Sequence, residues 1–164
     1  FLDSAQLMDY LPAPPEGRPL RILDLGSGAG FPGLVLAILG AGEVHLVESD
    51  ARKAAFMREV ARATSTVAMF HVKRIEQLGA ESRPPRADVI TARALANFDS
   101  LMKLSRPFLR QNSMCLYLKG STVDRELTGA EKGPKITLER YRSRSDPDGT
   151  ILRIEVLEFD SSRS

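Results

Sequence analysis

The chain has 164 residues, 43% of them hydrophobic and 27% charged, the balance expected of one globular domain large enough to build its own core. A formal net charge of +2 is too slight to mark a nucleic-acid binder by composition alone, and one cysteine with two histidines excludes both an internal disulfide framework and a structural zinc cluster. The longest apolar run, Phe31 to Ala41, carries Pro32, Gly33 and Gly40 and falls short of the ~20 residues of a membrane span, so no membrane partner and a reducing cytoplasm are expected.

The first expected element is a helix over Leu2–Leu11, with Leu2, Ala5, Leu7, Met8 and Leu11 at helical spacing and Pro12-Ala13-Pro14-Pro15 to stop it. Arg21–Leu25 reads as a strand apolar on both faces, as in a buried parallel sheet. A glycine-rich turn leads into a short helix, Pro32–Leu39, with the proline at its first helical position. Glu43–Val47 is a second strand. A helix over Asp50–Arg62 follows, with Asp50 as N-cap and Ala54, Met57, Val60 and Ala61 inward.

Val67–Val72 is a third strand, Arg74–Leu78 a helical turn, and Gly79–Arg86 a polar loop. Ala87–Thr91 is a fourth strand, Asn97–Leu109 a helix broken at Pro107, Ser113–Leu118 a fifth strand, and Thr122–Lys132 a weakly patterned helix. Ile136–Arg144 and Thr150–Leu157 form a hairpin through Asp146-Pro147-Asp148-Gly149. Strand–helix alternation closed by a hairpin makes residues 1–160 a single α/β domain with a mostly parallel sheet and one antiparallel strand near its edge. Residues 161–164 read as a frayed tail.

Chemistry is most legible in Ile22-Leu23-Asp24-Leu25-Gly26-Ser27-Gly28-Ala29-Gly30, where a buried strand runs into three glycines at alternate positions and then a helix. Such glycines let backbone approach a ligand closely. A dinucleotide fold wants G-x-G-x-x-G, but its third glycine would fall at Phe31. The alternate spacing resembles instead the first motif of class I S-adenosylmethionine (SAM) methyltransferases. Glu48, one β-α-β unit downstream, is placed to accept hydrogen bonds from a ribose. Because NAD and SAM both carry a ribose, Glu48 alone does not choose between them.

Four further phrases narrow the resemblance: Phe1-Leu2-Asp3-Ser4; Gly30-Phe31-Pro32-Gly33; Val47-Glu48-Ser49-Asp50 with Arg52-Lys53; and Thr91-Ala92-Arg93-Ala94 with Leu118-Lys119-Gly120. Together they closely resemble the RsmG (GidB) family of small-subunit ribosomal RNA methyltransferases, across nearly the whole chain but weakly after residue 121. In that family a histidine and an N-terminal helical segment usually precede the opening phrase. Neither stands in this sequence, and because Phe1 is not an initiator methionine the sequence reads as a fragment or a processed form.

The resemblance implies a class I Rossmann-like sheet of order 3-2-1-4-5-7-6, SAM as methyl donor, and methylation at N7 of a guanine in 16S rRNA (position 527 in the usual rRNA numbering). It further implies that a cytoplasmic monomer acts on small-subunit ribosomal particles. Carried over residue by residue, Asp24, Gly26, Gly28, Gly30, Phe31, Glu48 and Ser49 make up the SAM site, with Ile75 and Glu76 at the adenine and Arg93 beside the methionine moiety. Arg93, Lys119 and Arg74 form the family's cationic set around the reacting atoms.

The residues agree with that chemistry. Guanine N7 has a free in-plane lone pair, so methylation needs positioning and electrostatics more than a general base. No Asn/Asp-Pro-Pro-aromatic motif, which amino methyltransferases use, ends the fourth strand; Thr91-Ala92-Arg93 stands there. Methylation of a pyrimidine carbon needs a cysteine nucleophile, and Cys115, between Met114 and Leu116 in a strand, reads as packing. His45 and His71 read as strand histidines without a ligand set. Arg52, Lys53, Arg58 and Arg62, like Lys103, Arg106 and Arg110, read as solvated helix faces. A SAM methyltransferase acting on a small molecule or protein, a nicotinamide-dependent oxidoreductase and a binding module without catalysis remain the alternatives.

Overall fold

The computed structural model describes residues 1–81, 85–121, 123, 125 and 135–158. A short helix α1 (Leu2–Gln6) tightens into a 3-10 turn at Leu7–Tyr10, and the chain then enters the sheet. The order is β1 (Arg21–Leu25), α2 (Gly33–Ile38), β2 (Glu43–Val47), α3 (Ala51–Ala63), β3 (Met69–His71), α4 (Ile75–Gly79), β4 (Val89–Arg93) and α5 (Phe98–Ser105). A 3-10 turn at Arg106–Phe108, β5 (Met114–Lys119), β6 (Lys135–Arg142) and β7 (Thr150–Glu158) complete the described elements.

The seven strands hydrogen-bond in the order β3-β2-β1-β4-β5-β7-β6, as the resemblance implied. β1 pairs in parallel with β2 and β4, while β7 runs antiparallel between β5 and β6. Each face carries its own core. On one, Leu25, Ile90, Tyr117 and Ile154 pack against Leu78 of α4 and Phe98 and Leu101 of α5. On the other, Ile22, Leu46, Leu116 and Ile151 pack against Leu36 of α2, Met57 of α3 and Leu7 of the N-terminal turn. Among the described residues no helix is long and apolar enough to cross a membrane.

Outside β1 and β2, most element ends shift by one or a few residues from the sequence expectation, and the larger shifts have local reasons. Pro32 is the N-cap of α2 rather than its first helical residue, because the Gly33 N–H is taken by the Asp24 carboxylate. β3 is shorter than Val67–Val72, since it pairs only with β2 and leaves Val67 88% exposed. β4 starts two residues late, at Val89, and runs to Arg93. The Asp88 carboxylate before it accepts from Arg18 and from the Arg21 N–H, and pairs with Arg110. β6 stops at Arg142, past which the Arg144 N–H turns to the Gln6 side chain. Except for Val123 and Arg125, the helix expected over Thr122–Lys132 lies outside the described residues, as do residues 82–84 of the polar loop and the tail 161–164.

Candidate functional site

The carboxyl ends of the parallel strands share one edge of the sheet, where open α/β sheets bind ligands. There the glycine turn leaves β1 with Gly26, Gly28 and Gly30 all at positive φ, of 67°, 58° and 99°. Two of them have a packing reason. A Cβ on Gly26 would fall 2.7 Å from a methyl of Leu95, and one on Gly30 would fall 2.9 Å from the Leu34 Cβ. Gly28 is different, because its nearest neighbour would be the Gly26 carbonyl oxygen at 3.9 Å. A side chain there would project into open space. The fold needs only the backbone conformation at Gly28, and the space in front of it is what a small ligand could fill.

Glu48 locks this turn in place. One carboxylate oxygen accepts from the Gly28 N–H and the other from the Asp50 N–H, both at 2.8 Å. Asp50 in turn caps α3 by accepting from the Arg52 and Lys53 N–H groups, which holds its own carboxyl below the usual range. Each Glu48 oxygen keeps a second lone pair, so a carboxylate already fixed by two backbone donors can still receive the hydroxyls of a ribose. Ser49, beside it, is exposed.

Asp24 takes another place in the site. It is fully buried behind the turn, with one oxygen accepting the Thr91 hydroxyl at 2.7 Å and the other the Gly33 N–H at 3.2 Å. It secures β1, β4 and the start of α2 to one another. Burial, opposed by the hydrogen bonds from Thr91, Ser27 and Gly33, raises its pKa from 3.8 to about 6. The raised value means that ionisation costs more in the fold than in the open chain. This group's stabilisation is therefore full below pH ~4 and lost as pH rises through ~6, a difference of about 3 kcal/mol. Asp24→Asn, which cannot ionise, is expected to flatten that limb in chemical denaturation between about pH 4 and pH 7. Parallel curves for parent and variant would show that Asp24 does not titrate there.

Arg93 ends β4 exposed, with its guanidinium carbon 5.0 Å from the centre of the Phe31 ring. The next residue, Ala94, has φ 47°, a left-handed conformation rare for a residue with a side chain and typical of functional loops. Leu95 then covers Gly26, and Asn97 caps α5 by accepting from the Ser100 N–H. Lys119, at the end of β5, donates its Nζ to the Ala96 carbonyl at 2.6 Å. It therefore ties down the loop that carries Arg93. Arg74 is the exposed N-cap of α4; Ile75 packs in part against the core and Glu76 is exposed.

The structure thus brings the glycines, Phe31, Glu48, Arg93 and Lys119 to one edge, with Arg74, Ile75 and Glu76 following β3 at that same edge. Sequence reasoning missed Leu95 and the Lys119–Ala96 contact, both of which appear only once the β4–α5 loop folds over the turn. It also missed that His45 Nδ1 meets His71 Nε2 at 2.9 Å, with His45 Nε2 2.8 Å from Glu43. Burial, then the neighbouring His45, lowers the His71 pKa. Among the described residues no group of three or more His, Cys, Asp or Glu could hold a metal. Cys115 is fully buried, its thiol pushed up to about 12, which leaves no nucleophilic thiolate at neutral pH. On α3, Arg62 pairs with Glu59, Arg58 stacks on Phe70 and Arg52 is open to solvent.

Residues 1–144 match the family model described as rRNA small subunit methyltransferase G. A ribosomal RNA small subunit methyltransferase G of Rhodospirillum centenum is 53% identical over 94% of this chain and 68% of its own. Among solved structures, TrmN from Thermus thermophilus superposes with a TM-score of 0.67 at 18% identity, over 94% of this chain and 48% of its own. A variant of MtNAS in complex with S-adenosylmethionine gives a TM-score of 0.64 at 14% identity, over 86% and 56%. The chain thus spans about half the length of these two solved chains, whose likeness is one of fold.

Proposed function

Since the chain belongs to the rRNA small subunit methyltransferase G family, we propose that it transfers a methyl group from SAM to N7 of a guanine in 16S rRNA (guanine 527). It does so as a cytoplasmic monomer acting on small-subunit ribosomal particles. Methylation of small-subunit rRNA is the family's reaction by name. The finer assignment to N7 rests above all on what ends β4: an exposed arginine stacked on Phe31, in place of a motif that would hold an exocyclic amine.

The residues present fit SAM. Open space in front of Gly28 admits the donor to the backbone, and Glu48, held between the Gly28 and Asp50 N–H groups, presents lone pairs for a ribose. Ile75 and Glu76 would border the adenine, and Phe31 and Ser49 the remaining wall. When bound, SAM supplies an electrophilic methyl group, and guanine N7 needs no proton removed before it attacks. The chain is left to supply alignment and positive charge. Arg93, Lys119 and Arg74 bring three cations to the edge where a polyanion must dock. Buried Cys115 supplies no nucleophile for carbon methylation.

SAM at ~100 times its dissociation constant is expected to stabilise the protein by ~2.7 kcal/mol in a melting experiment, and NAD not at all. Methylated 16S rRNA, digested to nucleosides and identified by mass spectrometry, should carry 7-methylguanosine. A thermal response to NAD alone would overturn the cofactor assignment. A methyl group on an exocyclic amine or a ring carbon would overturn N7.

A further inference from the structure

β7 lies antiparallel between β5 and β6, so β6 runs in the same direction as β1–β5 and delivers its last residue, Arg142, to the carboxyl edge. The register fixes its neighbours. Lys119 stands opposite Thr150, and Thr150 opposite Arg142, so these three side chains share one face of the sheet. One row further into the sheet, two residues back on β5 and β6 and two residues on along β7, the same face carries Tyr117, Leu152 and Arg140. Tyr117 and Leu152 are fully buried, whereas Arg140 and Arg142 are exposed, so on the outermost strand the apolar rows run out into cations.

We propose that Arg140 and Arg142, continuing from Lys119, form a track for the phosphate backbone of the RNA substrate. The opposite face of the same hairpin offers an internal contrast. There Arg153 is held between Glu139 at 2.6 Å and Glu155 at 2.5 Å, the arrangement a hairpin adopts when it neutralises its own charge. Of the two arginines it is Arg142, at the end of the strand, that has no ion-pair partner among the described residues, whereas Arg140 already makes an interaction of its own. Arg140 and Arg142 lie about 6–7 Å apart along the strand, and Arg142 lies about 10 Å from Lys119 across two strand spacings. Three cations at such intervals on an open sheet edge suit a repeating anion better than a single phosphate, and contacts of that kind fix register without reading sequence. The hairpin tip carries Asp146 and Asp148, with an Asp146 oxygen taken up by the Asp148 N–H. These acids repel phosphate, so the track follows the face of β6 and avoids the turn.

This inference rests on the reading of the chain as an rRNA methyltransferase. The test titrates parent, Arg142→Ala and Arg140→Ala/Arg142→Ala against small-subunit particles over a salt series. SAM affinity and the single-turnover rate at saturating particles are measured alongside. The slope of log affinity against log salt is expected to fall by about 0.7–0.9 for Arg142→Ala and by about twice that for the double variant. Arg142→Lys should restore most of it, and SAM affinity and the saturated rate should match the parent. A parent that methylates normally, with variants of unchanged slope and affinity, overturns the track alone. A parent that neither binds nor methylates rRNA overturns the functional reading and the track together.

Discussion

Arg93→Ala is expected to lower the single-turnover rate of methyl transfer to 16S rRNA in small-subunit particles by about two orders of magnitude or more, while the protein stays folded. The side chain is exposed at the end of β4, so truncation opens no cavity. The folded state loses the contact with the Phe31 ring, worth about 0.5–1 kcal/mol at an exposed site. Activity is expected to respond differently, because the guanidinium is a fixed charge at the edge where donor and acceptor are proposed to meet in line. Misplacement of the reacting groups by about 1 Å costs on the order of 100-fold. Arg93→Lys retains the charge but loses the planar stack, and should recover only part of the rate. A full-rate alanine variant would remove Arg93 from the site.

Glu48→Ala is expected to weaken SAM binding in calorimetry by about 1.5–3 kcal/mol, the range for hydrogen bonds to a charged group. The structure adds a second expectation. The variant also leaves the Gly28 and Asp50 N–H groups without their acceptor, so the protein without ligand should lose stability as well. Gly28→Val separates the two effects. Its φ of 58° makes any side chain cost ~1–2 kcal/mol, but the Cβ meets open space, so the fold should survive while the donor is shut out. Parent-like SAM affinity in both variants would show that the donor sits elsewhere.

Where sequence patterns succeeded, a single physical demand governed the segment. Arg21–Leu25 and Glu43–Val47 appear with their expected bounds, because central strands buried on both faces admit only apolar runs closed by turn residues. Asp50 caps α3, as an aspartate at the opening of the helical pattern suggested. Pattern failed where distant residues compete for one group. Asp88 looked like a strand residue until Arg18, Arg21 and Arg110 converged on it. Asp24 sits in register with Thr91, which only the strand order reveals, and its burial behind the turn is invisible in the spacing that drew attention to it. Lys119 was read for its charge alone, whereas its Nζ reaches a carbonyl 23 residues away in sequence. Arg140 and Arg142 drew no notice, since alternate arginines gain meaning only once β7 has turned β6 toward the carboxyl edge.

The loop after β4 lies between the positions proposed for the two ligands. Its Leu95 rests against Gly26, on the turn proposed to receive the methyl donor, while Arg93 before it and the Lys119 contact at Ala96 lie on the side proposed for the guanine. On the proposed reading, one short segment would border both the donor and the acceptor. Thermodynamic reciprocity then constrains the pair. By whatever factor bound SAM tightens or loosens the grip on the ribosomal particle, the particle changes the grip on SAM by the same factor. A factor other than one would make the affinities for donor and particle depend on each other through this loop.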